Sequence, residues 1–115
     1  MKTIYVAGPY RAHTPSGVLA NRHTAEICGM RLCANGWAPY IPHCNLGGFE
    51  IYDGIEGLCD KVWLAIGLEW VRRCDAVFVL HGWEHSEGTK AEITEAKLID
   101  LPIYYQKDGF PDATD

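Results

Sequence analysis

The stretch DAVFVLHGWEHSEGTKAEITEA, residues 75–96, decides how this chain folds. DAVFVL, residues 75–80, is a continuous apolar run after its opening Asp75, with β-branched side chains, the pattern of a strand covered on both faces. A polar, glycine-bearing turn follows, and residues 86–100 have helical composition. A doubly covered strand feeding directly into a helix belongs to a parallel sheet with helices on both sides.

The rest of the chain repeats the alternation. TIYVAG (3–8) is a short β-rich run closed by Gly8-Pro9. Residues 17–35 lack proline and set Ala25, Cys28 and Leu32 on one helical stripe, ending at Asn35-Gly36. WAPYIPH (37–43) reads as a second strand near an edge, because its two prolines interrupt a ladder. Residues 45–57 are Gly-rich and read as a loop, 58–74 as a helix, and 101–106 as a closing strand. The expected architecture is α/β: a three-layer, flavodoxin- or Rossmann-like fold with a small parallel sheet of four to five strands. Residues 1–106 form the expected domain and 107–115 a C-terminal tail.

Composition narrows the function. The 115 residues suit a single domain, and 48% hydrophobic with 22% charged residues is ordinary for a globular chain. No apolar run approaches the roughly 18 residues of a membrane span, and the start MKTIYVAGPY is too short in its apolar part for a signal peptide. A cytoplasmic protein is expected. A net charge of −5 with scattered Lys and Arg disfavours nucleic acid, although a small phosphate can still bind at a helix N-terminus. The five cysteines are odd in number and none are spaced CxxC, so they read as reduced and mostly buried thiols. Neither a metal nor a cofactor is expected; a zinc site from Cys44 with His43, His81 or His85 has no supporting ligand spacing.

In open parallel sheets, ligands sit at the carboxyl ends of the strands, where the strand order reverses. This singles out the loops starting at Gly8, His43 and His81. If Ser86 caps the following helix, its hydroxyl accepts from an amide two or three residues on, and Gly88 and Thr89 fall in a first turn whose N–H groups attract anions. Glu92 lies nearly two turns in, on the side that can face the strand ends, and Glu95 about 60° round from it. Glu84, Glu87 and Glu95 read as solvated acids. A placed carboxylate such as Glu92 can serve as base, nucleophile or hydroxyl-binding acceptor.

Three segments, KTIYVAGPY, LEWVRRCDAVFVL and GWEHSEGTKAEITEA, resemble the nucleoside 2-deoxyribosyltransferase superfamily over roughly residues 2–105. The GWE-x-S-x-G-x-x-x-E pattern is similar to a small bacterial and phage branch, and the likeness extends to nucleoside 5′-monophosphate N-glycosidases. By that resemblance Glu92 matches a nucleophilic glutamate that attacks the anomeric carbon, and Tyr5 a tyrosine that orients it. Read without the resemblance, Tyr5 is a core aromatic. Ser86 matches the residue that meets the substrate's 5′ end. A serine there donates to phosphate where an aspartate would repel it, so a nucleoside monophosphate is favoured. Gly8, Gly88, Thr89, Arg11 and Asn45 complete the expected binding set.

The resemblance implies an N-glycosidase or (deoxy)ribosyltransferase that cleaves the N-glycosidic bond of a nucleotide or nucleoside, working as a homodimer or higher oligomer. One position departs from it. The family's aspartate eight residues before Asp75, which protonates the departing base, is here Gly67. Asp60, Glu69 and His81 are the candidate replacements. The alternative is a non-catalytic module on the same fold that binds a nucleotide or a nucleotide-derived signal.

Overall fold

The computed structural model describes residues 1–45 and 59–114, so most of the Gly-rich stretch expected as a loop lies outside the described residues. Four strands form one parallel sheet in the order β2-β1-β3-β4: β1 Thr3–Ala7, β2 Ala38–Tyr40, β3 Ala76–Val79 and β4 Ile103–Tyr105. Helix α1, Pro15–Ala34, links β1 to β2. A short helix α2, Pro42–Asn45, and then α3, Asp60–Arg73, precede β3, and α4, Glu87–Leu98, leads into β4. This is the Rossmann-like α/β architecture expected from the alternation.

The sheet parts its side chains by parity, as a pleat must. Ile4, Val6, Ala76, Phe78 and Leu80 join Leu32 and its stripe-mates on the α1 side. Tyr5, Ala7, Val77 and Val79 join Val71 of α3 and Ile93 of α4 on the other. Tyr5 is therefore committed to the α3–α4 face before any site is considered. The register Ile4↔Ala76 and Val6↔Phe78 keeps both central strands in phase. Asp75 closes the start of this pair: its carboxylate accepts from the Thr3 amide at 2.8 Å.

Two expectations are revised in detail. The second strand is three residues rather than seven, with Pro39 tolerated at the sheet edge and Pro42 opening α2, where its fixed φ suits a first helical turn. The cysteines are all free thiols as expected, yet Cys33 and Cys59 are exposed and only Cys28 and Cys74 are buried. At the C-terminus, the Phe110 ring stacks on Phe78 with centroids 5.2 Å apart, and Trp37 Nε1 donates to the Pro111 carbonyl at 2.9 Å. No helix among the described residues is long and apolar enough to cross a membrane.

Candidate functional site

β1 sends the chain one way to β2, and β3 sends it the other way to β4, so strand order reverses between them. The loops leaving β1 and β3 part at this point and open a cleft. Its volume is about 600 Å³. The two strand ends approach so closely that a β-carbon at Gly8 would lie 2.5 Å from Leu80 Cδ1, which restricts position 8 to glycine.

The floor is built from three elements. Tyr5 rises from β1 and donates its phenolic hydrogen to Oε2 of Glu92 on α4. Gly67 of α3 lies against both: a β-carbon there would be 2.6 Å from Glu92 Oε2 and 3.1 Å from Tyr5 Oη. Glycine inside a helix costs about 1 kcal/mol relative to alanine; here it makes the room that the carboxylate occupies. Burial pushes the Glu92 carboxyl from its ordinary 4.5 up to about 7, against the opposing pull of the Tyr5 hydrogen bond. Burial, and then the neighbouring Glu92, drive the Tyr5 phenol well above its usual range, so it keeps its proton.

Above the floor stands the start of α4. Ser86 caps it, accepting from the Thr89 amide at 3.3 Å, and the two hydroxyls meet at 2.8 Å. The amides of Glu87 and Gly88 belong to the first turn and have no intrahelical acceptor. A β-carbon at Gly88 would meet nothing within 4 Å, so this end is open.

Of the residues expected at the site, Tyr5, Glu92, Ser86, Gly88, Thr89, Gly8 and Arg11 line this one cleft. Asn45 does not. It is exposed, and its amide donates to Tyr40 Oη at 2.7 Å, steadying a wall residue. Arg11 is already engaged, 2.6 Å from Asp60 across the mouth. Of the three candidates to replace an acid at position 67, only Asp60 is among the lining residues. Glu69 pairs with Arg73 at 2.8 Å, and the His81 amide donates to Gln106.

Glu95 is also not the solvated acid expected. Only 17% of its side chain is exposed, and Arg72 Nε donates to it at 2.6 Å, tying α4 to α3. His43 turns inward: the residue is 3% exposed and Nε2 lies 3.1 Å from the carbonyls of both Gly8 and Pro9. Two carbonyls only accept, so Nε2 carries the hydrogen and the ring fastens the β1 loop. Burial holds its pKa below the ordinary value, which favours that neutral form.

The sequence reading missed the aromatic wall. Tyr40 stacks on Trp70 at 4.4 Å and 17°, and Tyr5 on Tyr40 at 5.8 Å. The signal was present: Trp63, Gly67 and Trp70 stand at i, i+4 and i+7, one face of α3 with a gap at its centre. Among the described residues, no three His, Cys, Asp or Glu gather in an arrangement that could hold a metal ion.

A family model described as a domain of unknown function (DUF7768) matches residues 2–106. The chain belongs to this family. A solved structure of a 2-desoxiribosyltransferase from Leishmania mexicana has the same fold, with a TM-score of 0.59 at 22% identity. The alignment covers 91% of this DUF7768 chain but 63% of the Leishmania one, so the domain spans less than two thirds of that protein. No curated protein matches.

Proposed function

We propose that this DUF7768 domain cleaves or transfers the N-glycosidic bond of a nucleoside 5′-monophosphate or nucleoside, with Glu92 as the nucleophile. The observation that carries this reading is a buried carboxylate at the floor of the switch-point cleft, clasped by Tyr5 and set beneath a helix N-terminus. The fold shared with a deoxyribosyltransferase supports it. In this reading the carboxylate attacks the anomeric carbon through an oxocarbenium-like transition state, forming a glycosyl ester that water or a second base resolves. Tyr5 is a positioning residue: its hydrogen bond aims one oxygen and leaves the other to react. The Glu87 and Gly88 amides, with Arg11, receive the 5′ phosphate. A second copy of the chain closes the open side of the cleft.

The decisive assay incubates the protein with nucleotides and their nucleosides and follows free base. Release that survives Glu92→Gln unchanged removes this mechanism. One observation favours a second reading, a binding module without turnover: position 67 has no side chain, so among the described residues α3 adds no second carboxyl beside Glu92. Tight binding of a nucleotide recovered intact, with no base released from any substrate, would establish it.

A further inference from the structure

In the reading above, two amides and one cation receive the 5′ phosphate. Among the described residues, Arg11 is the one Lys or Arg that lines the cleft, and residues 46–58 contain neither type. That cation is already occupied. Arg11 Nη2 donates to Asp60 Oδ1 at 2.6 Å, a contact between residues 49 positions apart. Arg11 lies in the loop between β1 and α1, and Asp60 opens α3, so the pair joins two rims of the mouth. The N-cap of α3, Cys59, makes no side-chain hydrogen bond to the first turn, and Asp60 is the acid that answers the positive end of this helix.

Exposure decides what such a pair can do. The side chains are 65% exposed for Arg11 and 85% for Asp60. Parting them leaves two hydrated charges, whereas parting a buried pair strands a charge without a partner. The contact is therefore cheap to exchange. A phosphate monoester carries more negative charge than a carboxylate. It also presents two oxygens to the planar fork of a guanidinium, the geometry in which arginine binds anions best.

We propose that Asp60 sets the selectivity of the cleft between phosphorylated and unphosphorylated ligands by competing for Arg11, a role that rests on Arg11 receiving the 5′ phosphate as in the reading above. In the empty cleft the carboxylate holds the guanidinium across the mouth. An arriving phosphate displaces it, Arg11 turns to the ligand, and Asp60 is left to water. A nucleoside has no group to make this exchange and leaves the pair intact. Monophosphates thus bind less tightly than an unpaired guanidinium would allow, while nucleosides bind as they would without Asp60. Asp60 acts through Arg11 and needs no contact with the ligand.

Calorimetric titration with AMP, GMP, CMP and UMP and with their nucleosides tests this, in a Glu92→Gln background so that no ligand is consumed. Thermal unfolding confirms that each variant folds. Asp60→Asn should tighten monophosphate binding about two- to fivefold, the range an exposed pair supports, and leave nucleosides unchanged. Asp60→Glu keeps the carboxylate and should stay near the starting affinity. Arg11→Ala should weaken monophosphates, and adding Asp60→Asn to it should then gain less than about twofold, because the two residues act as one unit. An equal gain with and without Arg11 means plain repulsion of the phosphate by Asp60 and overturns the competition. Unchanged or weaker monophosphate binding in Asp60→Asn overturns it as well, and leaves the phosphate reading standing where Arg11→Ala still weakens binding. If Arg11→Ala binds every monophosphate as before, or none binds to any variant, the phosphate reading falls and the role of Asp60 with it.

Discussion

Gly67 and Glu92 share one volume: a β-carbon on the glycine would stand 2.6 Å from the glutamate's Oε2. The atom that must yield is the far end of a flexible side chain rather than backbone. Gly67→Ala therefore combines a gain of about 1 kcal/mol in helix propensity with a swing of the Glu92 carboxyl away from Tyr5. The expected outcome is a melting temperature within a few degrees of the unaltered protein, with base release down at least roughly tenfold. Unfolding curves and turnover, measured on the same samples, check it; full activity in the alanine variant would contradict the geometry.

Tyr5→Phe removes the hydrogen bond that holds the Glu92 carboxyl down, so its pKa rises above about 7. Base release needs the ionised form, and its acid limb should move to higher pH in the variant. At alkaline pH the two proteins should converge if Tyr5 acts through charge, and stay apart if it acts through aim. Rate profiles from pH 5 to 9 separate these outcomes. The stability cost of the lost hydrogen bond should be near 1 kcal/mol.

The same carboxyl makes stability depend on pH. Its folded value, about 7, lies above the ordinary 4.5, so between these limits the folded state binds more protons than the unfolded. Stability is then fully present below pH 4.5 and is lost as pH rises through 7. Glu92→Gln abolishes that loss while keeping an acceptor for Tyr5. At pH 8 it should be the more stable protein by about 1–3 kcal/mol, allowing for the carboxyl's open side. The difference should vanish near pH 4. Denaturant titrations at the two pH values measure it.

Ser86→Ala deletes the cap of α4 and should cost about 1 kcal/mol of stability. If the helix start also receives phosphate, the variant loses affinity for a monophosphate far more than for the matching nucleoside. Calorimetric titration with both ligands distinguishes this from capping alone, which would weaken neither selectively.

Local pattern carried the layers and much of the site. The apolar run after Asp75, buried throughout residues 76–80, announced a covered sheet, and strand parity alone turned Tyr5 toward the helix that bears Glu92. What stayed hidden depended on how α3 sits against α4. Gly67 read as a missing acid, because only the packed structure shows that a glutamate from another helix fills its space. Asn45 looked able to reach a ligand, but its amide was taken by Tyr40, a partner set by how α2 turns back toward the edge strand. Glu95 looked solvated because Arg72 stands 23 residues away in sequence.

The floor draws one residue from the central strand and one from each of two helices, so no single element contains it. A ligand seated on Glu92 can recognise only the fully assembled chain. Each hundredfold excess of such a ligand over its Kd would stabilise the fold by about 2.7 kcal/mol. Thermal shift across a compound collection thereby becomes a way to find the occupant without knowing the reaction, with Glu92→Gln as the counter-screen.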